Sequence, residues 1–162
     1  MQFNRDDLNF FYRYCIALTK NEAISYDLLQ TGLEKWLRKS IHSQVTNPRQ
    51  YFLRMIKNQF LDDLKKEGPY QKEEYNDQSN VAEIGTNPLE DILITKEKLS
   101  RALKIMNSDE RELIFLWAME GHTIQEIADH LDSPKGTVLA RLFRLKKKVQ
   151  EAFEKDNAKE GL

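Results

Sequence analysis

Apolar positions recur at helical spacing along much of the chain, and polar residues interrupt them at a few defined places. Leu8, Phe11, Cys15 and Leu18 form one stripe, and Leu29, Leu33, Trp36 and Leu37 form a second behind Ser25, a good N-cap residue. A third run opens at Asn47-Pro48-Arg49-Gln50, a cap with proline at the first helical position and glutamine at the third. Leu53, Ile56, Phe60 and Leu64 follow at steps of three, four and four, and Gly68-Pro69 stops the helix. Three packed helices are expected before residue 67.

The C-terminal third carries a sharper pattern. Thr123 and Glu126 have capping-box spacing, and Ile124, Ile127, Ala128 and Leu131 make one apolar stripe on a short helix. After the turn Asp132-Ser133-Pro134, with Ser133 as N-cap and Pro134 at the first helical position, Val138, Leu142, Leu145 and Val149 recur at helical spacing. This predicts a helix-turn-helix. The remaining face of its second helix carries Thr137, Arg141, Arg144 and Lys148 in a row. Between Ser133 and Gln150 there are six cations (Lys135, Arg141, Arg144, Lys146, Lys147, Lys148) and no acid. Such a helix suits the phosphates and base edges of a major groove; the alternative is a solvated basic helix end, favoured by the macrodipole.

Composition changes this picture in one respect. The formal net charge of -1 does not suggest nucleic acid, but the charges are segregated. Residues 67–95 hold seven acids (Glu67, Glu73, Glu74, Asp77, Glu83, Glu90, Asp91) against Lys72. This stretch, with Gly85 and Asn87-Pro88, reads as a flexible acidic linker, and no internal repeat is visible. The expected fold class is therefore all-α: a helical domain over 1–67, a linker over 68–95, a helix-turn-helix domain over 96–155, and a tail over 156–162.

Candidate chemistry is sparse. Cys15 is the single cysteine, so no internal disulfide forms, and no Cys or His cluster has metal-site spacing. No cofactor is expected. His42, His122 and His130 read as loop or surface residues without nucleophile or metal partners. Asp62 and Asp63 are adjacent and point to different sides of a helix, so they make no paired acid and base. The protein is not expected to be an enzyme. The polar N-terminus lacks signal-peptide character, and the longest apolar run, Leu113 to Met119, is too short to span a bilayer. No membrane insertion and a cytoplasmic location are expected.

The two halves together resemble the extracytoplasmic-function class of bacterial sigma factors. Asp27-Leu28-Leu29-Gln30 with Trp36, and Tyr51-Phe52-Leu53-Arg54-Met55-Ile56-Lys57-Asn58 with Asp62 and Lys65, match the pattern of the N-terminal domain of that class. Glu126-Ile127-Ala128 and Gly136-Thr137-Val138-Leu139-Ala140-Arg141-Leu142-Phe143-Arg144-Leu145 match its C-terminal domain. Leu139 and Ala140 stand where the class often has Lys and Ser, and Tyr51 replaces a common Trp.

The resemblance implies a transcription initiation factor that binds bacterial core RNA polymerase and promoter DNA. Asp27, Gln30 and Glu34 are its implied polymerase contacts, whereas Trp36 is expected in the core. The third helix and the loop Ser40 to Asn47 are the implied minus-10 part, in which a base is turned out of the stack and Arg49, Tyr51, Arg54, Lys57, Asn58 and Lys65 hold the strand. On its own pattern that helix face reads equally well as an ordinary polar surface. Lys135, Thr137, Arg141, Arg144, Lys147 and Lys148 are the implied minus-35 residues. The acidic linker is either a mimic of nascent RNA or a solvated tether. Sequestration by an anti-sigma factor is common in the class and is implied by kinship alone. The competing reading is a stand-alone helix-turn-helix operator-binding regulator, which would have no use for the N-terminal block.

Overall fold

The computed structural model describes residues 3–39, 44–67 and 96–160, which form helices and turns with no strand among them. The expected linker, residues 40–43 of the loop before the third helix, and with them His42, lie outside the described residues. The chain divides into two compact units, Met1–Glu73 and Glu74–Leu162. No helix among the described residues is long and apolar enough to cross a membrane.

The first unit packs three helices, α1 (Arg5–Thr19), α2 (Glu22–Arg38) and α3 (Pro48–Glu67). A capping box opens α1: the Asp7 N–H donates to Asn4 Oδ1 at 2.8 Å and the Asn4 N–H to Asp7 Oδ2 at 3.1 Å. Lys20 closes it in the left-handed region. The next residue but one already starts α2, because Asn21 caps it by accepting from the Ile24 N–H at 2.9 Å. This corrects the expected start. Ser25 lies inside the helix, fully buried, and shares a 2.5 Å hydrogen bond with the Thr19 hydroxyl.

Phe10, Phe11, Tyr14, Cys15 and Leu18 of α1 meet Leu28, Leu29 and Trp36 of α2 and Phe52, Leu53, Ile56 and Phe60 of α3 in the core. Gly32 permits the close approach of α2 and α3, since a Cβ there would stand 3.4 Å from the Ile56 and Phe52 side chains. Leu37 is a second correction. Trp36 takes the core position, while Leu37, one residue before the end of α2, is 60% exposed.

The second unit contains α4 (Lys96–Ile105), α5 (Ser108–Ile114), a π-helical turn (Phe115–Met119), α6 (Ile124–Leu131) and α7 (Lys135–Glu160). Its core is mainly aliphatic, with Leu113, Ile114, Leu116, Ile127, Val138, Leu142, Leu145 and Val149 buried. All four residues of the predicted α7 stripe are among them. Gly121, at φ +72°, provides the left-handed turn that follows the π turn. The helix α7 reaches Glu160, beyond the residue at which a tail was expected to begin.

Candidate nucleic-acid interfaces

In the second unit the helix-turn-helix is α6, a tight turn and α7. Thr123 Oγ1 accepts from the Glu126 N–H at 3.1 Å, and the Glu126 carboxylate accepts from the Thr123 N–H at 3.2 Å. These hydrogen bonds hold the Glu126 carboxyl below its ordinary value. Asp132 adopts φ 52°, ψ 47° at the end of α6, and the Ser133 N–H donates to the Ala128 carbonyl at 3.0 Å. Here the expected cap shifts by one residue: Ser133 Oγ donates to the Leu131 carbonyl, and α7 begins at Lys135 over the Pro134 carbonyl, which accepts from Thr137 and Val138.

The row Thr137, Arg141, Arg144 and Lys148, expected to face outward, is half-buried, while Lys135 and Lys147 are exposed. The reason is tertiary. The helix α7 is central to its unit and packs against α4, α5 and α6, so little of its circumference is open. Lys148 has an internal partner, donating to Glu110 Oε1 at 2.8 Å. Ala140 is 5% exposed, so this departure from the class pattern falls at a position with almost no accessible surface.

Behind the helix-turn-helix lies a buried polar group that local patterns do not reveal. His130, expected at the surface, is 8% exposed, and its Nε2 lies 3.2 Å from Oε2 of Glu112, itself 1% exposed. Arg111 donates from Nη1 to the Met106 carbonyl at 2.6 Å, and burial pulls its guanidinium below its ordinary value. The helix α5 thus holds α6 through Glu112 and α7 through Glu110. No group of three or more metal-ligating side chains occurs among the described residues.

Among the described residues of the first unit two grooves lie along α3 between Gln50 and Asp62. The larger, about 530 Å³, is lined by Lys35, Arg38 and Lys39 at the end of α2 and by Tyr51, Arg54, Met55, Asn58, Gln59 and Asp62 of α3. Four cations against one acid give it a positive potential. The smaller, about 450 Å³, lies between Gln44, Val45, Thr46 and Asn47 of the loop and Gln50, Tyr51 and Arg54. Asn47 caps α3 as expected, accepting from the Gln50 N–H at 3.1 Å.

Of the predicted strand-binding residues, Tyr51, Arg54 and Asn58 come together in these grooves. Arg49 does not: its guanidinium sits 4.1 Å from the centroid of the Phe10 ring and 3.9 Å from Asp7 Oδ1. Lys57 and Lys65 also lie outside the groove linings. Lys35, Arg38 and Lys39, which line the larger groove, were not among the predicted residues, although the basic end of α2 was an available signal. Lys35 Nζ bonds Gln59, whose amide donates to Asp63 Oδ1 at 2.8 Å.

Asp27, Gln30 and Glu34 are all exposed on α2. Tyr26 and Leu37 are exposed on the same side as Gln30, four residues before and seven after it, which adds apolar surface to the predicted polar face.

Residues 5–69 match the family model for sigma-70 region 2, and residues 96–149 match that for sigma-70, region 4. Among solved structures, the chain is similar to the sigma factor RpoE in the co-crystal structure with the anti-sigma factor NepR from Bartonella quintana. The sequences are 20% identical, the match covers 91% of this chain and 92% of that one, and the TM-score is 0.63. At that identity the likeness is one of fold. The two family matches account for both helical units in the order expected, and the chain belongs to the sigma-70 family, with regions 2 and 4 in the arrangement of the extracytoplasmic-function class.

Proposed function

We propose a division of labour in which each unit meets the promoter in a different physical form. The first unit carries a positive groove with an aromatic ring and amide side chains, which suits a single strand held by phosphate contact and base stacking. The second carries a capped helix-turn-helix with exposed Lys135 and Lys147, which suits duplex DNA. In this reading Tyr51, Arg54 and Asn58, joined by Lys35 and Arg38, hold the melted minus-10 strand, with Lys39 bonded to Tyr51. Thr137, Arg141 and Arg144 read the minus-35 duplex, with Lys135 and Lys147 on phosphates. Asp27, Gln30 and Glu34, flanked by Tyr26 and Leu37, bind core RNA polymerase.

The observation that carries the reading is the groove pair beside α3, because a simple operator-binding protein has no use for a second, strand-sized basic groove. The protein acts by binding and not by catalysis, and it works in the cytoplasm where polymerase is. The solved relative is bound to an anti-sigma factor, and regulation by such a partner is proposed here by analogy. The test combines a pull-down with run-off transcription, using sigma-free bacterial core polymerase and fragmented host DNA. Stable core binding with new discrete start sites is expected. Duplex binding without core binding would instead favour a stand-alone regulator.

A further inference from the structure

Tyr51 and Arg54 are the two residues that line both grooves, so the Tyr51 ring stands where the grooves meet. The ring touches Trp36, centroid to centroid 6.0 Å at 54°. Its oxygen accepts a hydrogen bond from Lys39 Nζ at 2.7 Å, and the same ammonium lies 5.0 Å from the ring centroid. Lys39 is itself placed by the end of α2, where the backbone turns extended (φ -77°, ψ 132°) and its N–H donates to the Trp36 carbonyl at 3.2 Å. The end of α2 therefore places the Lys39 backbone, and the Lys39 ammonium meets the phenol.

The chemistry of this pair is directional. A phenol oxygen that accepts from an ammonium must turn its own proton to another acceptor, and an ammonium donor polarises the O–H and strengthens that donation. The tryptophan common at this position in the class has no oxygen to accept from Lys39 and would leave the ammonium unlatched.

We propose that Lys39 is a positioning residue for strand capture. It holds the Tyr51 phenol where the grooves meet so that the O–H donates to an acceptor atom on the edge of one base. The pair, and not Tyr51 alone, then sets the preference at that base. This rests on the reading of the grooves as the strand site.

The test uses the full chain bound to bacterial core polymerase and a pool of single-stranded DNA with a randomised interior, selected by binding and sequenced. The wild-type chain should enrich a defined base. Tyr51→Phe should lower the preference at that position about fivefold, as expected for the loss of one hydrogen bond. Lys39→Met should lower it equally at the same position, the double variant no further, and Lys39→Arg should restore it. Retention of each variant on core polymerase checks that it folds. A Lys39→Met chain that keeps the full preference would overturn the positioning role while leaving the strand site intact. Equal weakening of all sequences by both variants would also overturn it, since that is the mark of a phosphate contact. A wild-type chain that selects no strand would overturn the reading of the grooves, and this inference with it.

Discussion

In the first unit Phe3, Phe11, Trp36 and Phe52 meet ring against ring, with Phe11 and Phe52 centroids 4.5 Å apart and Phe3 within 5.1 Å of Trp36. In the second unit Glu110, Arg111, Glu112 and His130 are buried among aliphatic side chains. Ring packing contributes large apolar burial, whereas a buried hydrogen-bonded polar pair adds little net stability against an apolar replacement but demands a defined distance and angle. The difference matches the proposed tasks. A groove for a pliable strand needs two helices held together, while a helix that reads a rigid duplex must be held in one orientation.

The largest effect should come from breaking the ring cluster. Trp36→Ala removes a side chain that is almost wholly buried and should cost about 3–5 kcal/mol of first-unit stability in urea titrations. Cys15 supplies an internal probe, because burial pushes its thiol from 9.0 up to about 12. The wild-type chain should resist thiol reagents and the variant should react. The same shift has a sign in pH: the unfolded thiol ionises above 9.0 and the folded one near 12, so stability present below 9.0 declines as pH rises through that interval. Equal thiol reactivity in both chains would show that the rings are not what shields Cys15.

Next in size is Glu112→Ala, expected to cost about 3 kcal/mol in the second unit by leaving His130 buried without its carboxylate. The sharper experiment is the paired replacement Glu112→Leu with His130→Leu. Stability should then return to near the wild-type level, while affinity for a minus-35 duplex stays reduced because α6 is no longer held by a directional contact. Full recovery of DNA binding would erase the distinction between the two units.

The contrast also explains what was legible in the chain. Stripes and caps that act within one helix could be read directly, as with Asn47, Thr123-Glu126 and the whole buried face of α7. Features that depend on a second element could not. Glu112 lies 18 residues before His130, so no local period connects them. Lys39 and Tyr51 become partners only because α2 ends beside α3. Ser25 and Ser133 have the chemistry of caps, but Asn21 and the Pro134 carbonyl take those roles because the preceding helices end so close by. Leu37 shares the period of the stripe, but it stands one residue before the end of α2 and is 60% exposed, which a period alone does not reveal.

A smaller effect separates the cations of α7. Each cation that neutralises a phosphate adds about 0.9 to the steepness of log affinity against log salt, so removing one should reduce the slope by about 0.9. Lys147→Gln should show that reduction in duplex binding by the full chain. Lys148→Gln should leave the slope nearly unchanged, because its ammonium is already held by Glu110. A full reduction with Lys148→Gln would mean that this lysine exchanges Glu110 for a phosphate on binding.

The smallest effect lies at the start of α6. Thr123→Ala should cost about 1 kcal/mol by leaving the Glu126 N–H without its cap. Glu126→Gln isolates the charge. Because the folded carboxyl sits below its ordinary value of 4.5, its stabilisation is present above 4.5 and is lost as pH falls through the lowered folded value. Urea midpoints of wild type and Glu126→Gln should therefore differ near neutrality and converge in acid. Curves that stay parallel across that range would show that the hydrogen bonds of this box, and not its charge, hold α6 in place.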